Sequence, residues 1–204
     1  MIRATFAVAA MLVLAGPAIA AVTPEDLGPE LSEAAQRGDT NAFLASMSAG
    51  TRRALLAAEP AQSRLIAAQQ ALHSAVDRRF GPGQPGKDVH THMMGNAPGL
   101  SRFADIKVVG VEHNETGQVL VRLRTSVKQA DGRTVAQEDV FPVVRENGQW
   151  KLNLTELIRS RIRSLSQQAT VYRAVAEGVR LGRYSDRVAT STALLRGLRG
   201  VPSR

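Results

Sequence analysis

The spacing of apolar residues changes twice along this chain of 204 residues. Up to Phe80 apolar residues recur mostly every three or four positions, which is the period of an amphipathic helix. Between residues 101 and 153 they alternate with polar residues, as in half-buried strands, and from Leu154 the helical period returns. This order predicts an α+β fold, with N-terminal helices packed on a curved four-stranded antiparallel meander sheet and C-terminal helices after it.

Caps and breakers predict where the first helices begin and end. Residues 21–29 contain two prolines and a glycine, which predicts a mobile leader. The stretch PEDLGPELSEAAQRGD begins a short helix that Gly38 ends, and Asp39 or Thr40 caps the next one.

The longer helices are also interrupted at identifiable residues. Pro60 predicts a break near Glu59, followed by a long helix from about residue 61 to residue 80. Near the C-terminus Gly182 ends one helix, and Ser185 caps a final short one.

Three features specify the sheet. Asn147-Gly148 is a strong signal for a two-residue hairpin turn. The alternation slips beside Gly110, which predicts a β-bulge. Pro142 cannot donate a ladder hydrogen bond, so its strand is expected to be an edge strand or bulged there.

The N-terminus has the pattern of a secretory signal peptide. Arg3 precedes an apolar run over residues 4–16, and Ala18-Ile19-Ala20 is a small-x-small cleavage signature. We expect cleavage between Ala20 and Ala21; the alternative is an anchor helix that is retained. The chain has no cysteine, which excludes disulfides, thiol catalysis, a thiolate metal site and a lipid-carrying N-terminal cysteine. A bacterial periplasm, or the medium, is the expected location.

Positive charge is concentrated in the last quarter of the chain. Residues 154–204 hold ten arginines, no lysine and three acidic residues, whereas residues 21–153 are neutral. This asymmetry predicts a main domain over residues 21–154 and a basic helical extension over 155–204, which either packs back on the domain or reaches a partner.

The stretch VVRENGQWKL, residues 143–152, resembles the last hairpin of exported bacterial members of the ketosteroid-isomerase-like, or nuclear-transport-factor-two-like, cone-fold superfamily. The resemblance covers about residues 30–154. It implies a conical pocket between the long helix and the concave face of the sheet. Enzymes, binding domains and dimeric adaptors all use this fold, so it does not fix the function. The tyrosine that the isomerase chemistry needs cannot be carried over, because Tyr172 and Tyr184 both lie beyond the region of resemblance.

The pocket that the resemblance implies has two readings. In an enzyme acting on a small hydrophobic substrate, Asp105 or Asp139 would be the general base. In a non-catalytic module, Phe103, Phe141 and Trp150 would fill the pocket.

The stretch DVHTHMM, residues 88–94, is a candidate metal site within a loop rich in glycine and proline. Asp88, His90 and His92 would project to one side of an extended chain, and the thioether of Met93 or Met94 suits cuprous copper. The alternative is a solvated loop without a ligand, because further ligands would have to come from elsewhere. No resident cofactor is expected.

The arginines of the C-terminal helices form a candidate partner surface, represented by Arg159, Arg163, Arg173 and Arg180. Its target would be an anionic lipid, lipopolysaccharide phosphate or an acidic protein; the alternative is an ordinary solvated face. Export removes the protein from nucleic acid. The apolar stripe from Leu154 to Val179 would be exposed on a lone helix, and a homodimer is one way to bury it.

Three functions remain open from the sequence. The first is a non-catalytic binding or adaptor protein that contacts a small hydrophobic ligand or a protein partner. The second is an enzyme that uses a pocket carboxylate, and the third is copper or zinc binding through residues 88–94.

Overall fold

A computed structural model describes residues 21–82, 103–128 and 132–201. The predicted signal peptide and the 88–94 stretch therefore lie outside the described residues. The fold is α+β, as predicted, with a four-stranded antiparallel sheet in the order β1-β2-β3-β4. After a short 3₁₀ turn at Pro24–Asp26, the elements are α1 (Leu27–Gln36), α2 (Thr40–Ala45), α3 (Ala49–Phe80), β1 (Phe103–His113), β2 (Val119–Lys128), β3 (Thr134–Glu146), β4 (Gln149–Leu152), α4 (Thr155–Arg180) and α5 (Arg187–Arg199).

The predicted mobile leader is wrong, because residues 21–29 pack into the fold. Ala21 is buried, and its carbonyl accepts a hydrogen bond from the Trp150 N–H at 3.0 Å. The Asp26 carboxylate accepts from the N–H groups of Thr23 and, more weakly, Val22, which lowers the pKa of Asp26. Leu27 is completely buried. The prolines and glycine thus shape an ordered turn rather than a free segment.

The turn and bulge predictions for the sheet are confirmed. Asn147 and Gly148 both have positive φ, 52° and 79°, as a type I′ hairpin turn requires. The register between β1 and β2 shifts between Val108 and Gly110, where the bulge was expected. Pro142 lies where β3 changes partner, from β2 over residues 134–142 to β4 over 143–146. The first part of β3 is therefore an edge among the described strands, as its proline requires.

The predicted break at Glu59 is wrong, since α3 continues through Pro60. Proline frees the carbonyl of Leu56, four residues earlier, but both residues are exposed, so water can solvate that oxygen. Ala54 and Ala61, on either side, are buried and hold the helix in place. Tertiary packing thus outweighs the local preference.

The predicted cap of the last helix is wrong by one residue. The side chain of Asp186, not that of Ser185, accepts from the N–H of Ala189 at the start of α5, at 2.8 Å. The Ser185 hydroxyl donates instead to the Asp186 carboxylate. Asp186 precedes Ala189 by three residues, which is the spacing that lets a side chain reach the N3 backbone donor.

Two hydrophobic cores divide the described residues into a head and an arm. The head comprises α1, α2 and the sheet, and in its core Leu27 and Leu31 meet Val121 and Leu123. The arm comprises α3, α4 and α5, and its core contains most of the predicted C-terminal stripe. That stripe is buried against α3 of the same chain, so covering it does not require a second copy. The extension predicted to begin at residue 155 and the long helix before the sheet therefore share one core.

The helix over the sheet is α1 rather than the long α3. α1 packs on β1, and Gly28 approaches so closely that a Cβ there would lie 2.7 Å from the Val108 backbone nitrogen. α3 packs along α4 instead. The cone-fold resemblance implied that the long helix faces the sheet, whereas in the described residues the short α1 packs on it.

Candidate functional site

The helices α3 and α4 run side by side in the same direction. Near the head, the Leu154 N–H donates to the Thr51 hydroxyl oxygen at 2.8 Å. At the far end, Gly182, just after α4, lies against the Arg79 guanidinium. α3 has 32 residues, so the arm extends about 48 Å from the head.

The arm carries the excess of positive over negative charge among the described residues. Residues 49–80 and 154–201 hold fourteen arginines, no lysine and five acidic residues, a net charge of +9. The described residues of the head, 21–48, 103–128 and 132–153, hold eight basic and eleven acidic residues, a net charge of −3. The sequence located the excess in the last quarter of the chain. The fold adds the five arginines of α3 to the same body, which the linear order conceals.

The four arginines predicted for a partner surface are all exposed, but their contacts differ. Arg159 is paired with Glu156 at 2.6 Å, and Arg180 with Glu177 at 3.3 Å. Arg173 donates to the Ala169 carbonyl of its own helix.

Arg163 differs from Arg159 and Arg180 in that no acidic partner neutralises it. None of the described residues forms an ion pair with Arg163 or with its exposed neighbour Arg161. Arg173 also forms no ion pair there, but Arg161 and Arg163 lie two residues apart and so concentrate unneutralised positive charge close to the start of α4.

Arg187 has a structural role that the sequence did not indicate. Its guanidinium bonds the Asp77 carboxylate at 2.8 Å and the Gly81 carbonyl, and thereby fixes the start of α5 to the end of α3. Its side chain is 23% exposed, far less than that of Arg159. A half-buried arginine with two hydrogen-bond acceptors holds two elements together rather than binding a partner, and we call this Arg187 contact the clasp.

The carboxylates predicted for a pocket lie apart and are both on the sheet. Asp105 pairs with Lys107 at 2.8 Å and accepts from the Ser32 hydroxyl. The hydrogen bond from Lys107 is the main reason that the pKa of Asp105 is lowered. Asp139 is half-buried and accepts from the Gln137 side chain at 2.7 Å.

The aromatic pocket candidates are part of the head. Phe141 and Trp150 are partly buried and pack against its core. For Phe103 only the backbone lies among the described residues.

Two open depressions of the described surface lie beside α5, away from the sheet. One is lined by Tyr184, Val188, Ala189, Thr192 and Arg196, the other by Val171, Gly197, Gly200 and Val201, and each measures about 470 Å³. Neither contains a set of convergent carboxylates or histidines. They are open surface depressions rather than substrate cavities.

The described part of the chain contains no group of three histidine or acidic side chains placed to hold a metal ion. The metal candidates His90, His92 and Met93 lie outside it, so their prediction is unaffected. Over the same residues no helix combines the length and apolar character needed to cross a membrane.

Comparisons with protein-family models, with curated proteins and with solved structures found no match to this chain. Its functional assignment therefore rests on the residues and their geometry.

Proposed function

We propose that this protein is a non-catalytic adaptor whose basic arm binds an acidic protein partner. The separation of charge between an arm of +9 and a head of −3 is the observation that carries the proposal. Such a field attracts an acidic surface and orients it toward one end of the molecule. Arg161 and Arg163, without ion pairs among the described residues, are the side chains best placed to meet its carboxylates.

The environment of the carboxylates supports an adaptor over an enzyme. A general base at neutral pH needs a raised pKa or an unpaired carboxylate in a cavity. Asp105 has a lowered pKa and a lysine partner, and Asp139 is bonded to Gln137. Phe141 and Trp150 fill space in the core of the head. These contacts also favour a protein partner over a small hydrophobic ligand.

Export and cone-fold membership are further parts of this proposal. The N-terminal signal pattern and the absence of cysteine support a periplasmic or secreted location. The Asn147-Gly148 hairpin, followed by the partly buried Trp150, supports the cone-fold resemblance. The long helix that packs on α4 instead of the sheet would be a departure from that fold.

Site-specific photocrosslinking in the envelope of the source cell tests the adaptor function. A photoreactive residue replaces the exposed Gln167 on α4 or, as a matched control, the exposed Gln118 on the head. We expect a discrete adduct with an acidic protein at Gln167 only, and its loss in the Arg161→Glu/Arg163→Glu variant. Equal adducts at both sites, or an adduct indifferent to the charge reversal, would contradict the proposal.

A further inference from the structure

Helix α5 packs along α4 and contacts α3 near its C-terminal end, so it covers part of the groove between these two helices. It is seated by Leu194, which is completely buried in the arm core, and by the Arg187–Asp77 contact with α3. At its other end Gly197 lies against Val171 of α4, where an added Cβ would be 2.6 Å from the valine methyl. α5 therefore returns along the pair and ends about halfway toward the head.

The same groove continues toward the head without α5. Leu157 lies two heptads before Val171, so it shares the face of α4 that α5 contacts. Leu55 lies 22 residues, about six helical turns, before Asp77, the residue of α3 that Arg187 contacts, so it is on the same side of α3. Leu157 is 52% exposed and Leu55 is 39% exposed. The two leucines thus lie on the sides of α3 and α4 that contact α5 further along, but without a covering helix among the described residues.

The two leucines lie at the same height on the arm. Thr51 of α3 bonds to Leu154 just before α4, and Leu55 and Leu157 follow those residues by four and three positions. The corresponding rises are about 6 and 4.5 Å. We call the stretch of groove over residues 52–63 and 156–167 the open groove.

We propose that the open groove binds an amphipathic helix of the partner protein, with carboxylates along its α4 side. Arg161 follows Leu157 by one turn, Arg163 lies nearby, and neither has an ion pair among the described residues. The α3 side is mixed, with Arg52 and Glu59. A second copy of this chain is a poor occupant, because its own arm carries a net charge of +9. The groove is about 18 Å long, enough for three to four helical turns.

This inference rests on the proposed function but is tested by different residues. The probe is a fluorescent synthetic peptide of 18 residues with leucines at helical spacing and glutamates beside them. Its control is a scrambled peptide of the same composition, which has the charge but not the stripe. Fluorescence anisotropy is measured on the mature chain and on three variants, Leu55→Ala/Leu157→Ala, Leu56→Ala/Leu181→Ala and Arg161→Glu/Arg163→Glu.

We expect the Leu55→Ala/Leu157→Ala variant to bind the amphipathic peptide about tenfold more weakly, since these residues would be the buried apolar anchors. The Leu56→Ala/Leu181→Ala variant removes leucines that are at least as exposed but lie outside the groove, and it should bind as the parent does. The arginine variant should lose binding as well. All four leucines are exposed, so these substitutions leave the cores intact.

Other outcomes separate the two proposals. Peptide binding that depends on Arg161 and Arg163 but not on Leu55 and Leu157 would contradict binding in the open groove. Equal binding of the scrambled peptide would do the same. Both results would leave the proposal of an acidic partner standing. Peptide binding that depends on neither the two leucines nor the two arginines would contradict both proposals. Phosphatidylglycerol vesicles that bind in place of the peptide identify a membrane target and overturn both.

The chain has no cysteine, so a Leu157→Cys variant reports coverage of the groove directly. Rapid reaction with a maleimide in the free protein, and protection by the peptide, are expected. Protection without the peptide shows that another part of the chain, or a second copy, already covers the groove, and overturns the proposal. Sedimentation of the same sample distinguishes those two occupants.

Discussion

At the scale of single residues, the arginines of the arm differ in what their guanidinium groups contact. Arg187 bonds the carboxylate of Asp77 and the carbonyl of Gly81, while Arg163 extends into solvent. The sequence presents both as basic residues in polar helical surroundings. Only the packing of α4 along α3, which places the start of α5 beside the end of α3, brings Arg187 and Asp77, 110 positions apart, into contact.

The substitution Arg187→Ala is expected to lower the free energy of unfolding by about 1–3 kcal/mol, because a partly buried carboxylate loses a charged donor. Arg163→Ala, the matched control, should change it by less than about 0.5 kcal/mol. Denaturant unfolding of both variants measures the difference. Equal losses would mean that the clasp contributes nothing specific.

The cap of α5 should make stability depend on acid. The N–H of Ala189 and then the Ser185 hydroxyl donate to the Asp186 carboxylate, and both lower the pKa of Asp186. Because the pKa of Asp186 is lower in the folded state, its ionised carboxylate stabilises the fold fully above the unfolded-state pKa of about 3.9. This stabilisation is lost as the pH falls through the folded-state pKa. Asp186→Asn keeps an acceptor but does not titrate. The stability advantage of the parent over this variant should therefore shrink from pH 6 to pH 3 in denaturant titrations. An advantage independent of pH would contradict this account.

At the scale of elements, α3 is a continuous helix despite a proline in its interior. Alanine at an exposed interior helix position is more favourable than proline by about 3 kcal/mol. Pro60→Ala also restores an N–H that can bond the Leu56 carbonyl. We therefore expect Pro60→Ala to raise the free energy of unfolding by up to about 3 kcal/mol, measured by denaturant titration. If the helix instead broke at Glu59, the variant would gain little or lose stability.

Two leucines of α3 test which face of that helix is buried. Leu72 is 1% exposed in the arm core, and Leu56 is 67% exposed on the same helix. Leu72→Ala should cost about 2–5 kcal/mol of unfolding free energy through lost burial and a cavity. Leu56→Ala should cost less than about 0.5 kcal/mol. Thermal and denaturant melts compare the two, and similar costs would place α4 on a different face of α3.

Most elements could be predicted from the sequence because their signals are local. The Asn147-Gly148 turn, the bulge beside Gly110 and the edge position of Pro142 each depend on the backbone chemistry of one or two residues. The predictions at Pro60 and over residues 21–29 failed where burial by distant residues decides. The N-terminal segment is held by Trp150, and the helix around Pro60 by the arm core.

At the scale of the whole molecule, the sequence specified apolar faces but not their partners. The helical period of α3 marks Leu65 and Leu72 as buried equally well against a sheet or against α4. For the same reason the excess positive charge was predicted for the last quarter alone, whereas the fold places the arginines of α3 in the same arm. The sequence could thus predict that the partner surface is basic. It could not predict the open groove, which depends on how far α5 extends along α3 and α4.

Head and arm meet at a buried polar joint. The Thr51 hydroxyl accepts a hydrogen bond from the Leu154 N–H at 2.8 Å and donates one to the Leu152 carbonyl oxygen at 3.3 Å. Ser48 caps α3, and the Glu146 carboxylate accepts from the Ala49 N–H at its start. These bonds connect the last strand to the first turn of both long helices, so the two cores should unfold together.

The substitution Thr51→Val tests this coupling, because it keeps the shape of a completely buried side chain and removes its hydroxyl. The Leu154 N–H then loses its acceptor, which should cost about 1–3 kcal/mol, whereas the Leu152 carbonyl still accepts from the Ser48 N–H. Fluorescence of Trp150, the only tryptophan, reports the head, and circular dichroism reports mainly the long helices of the arm. In the parent protein both probes should give one denaturant midpoint, as in a two-state transition. In Thr51→Val both midpoints should fall and separate, because each core then unfolds with less support from the other. Separate midpoints in the parent, or an unchanged Thr51→Val variant, would show that head and arm are independent and that the joint does not couple them.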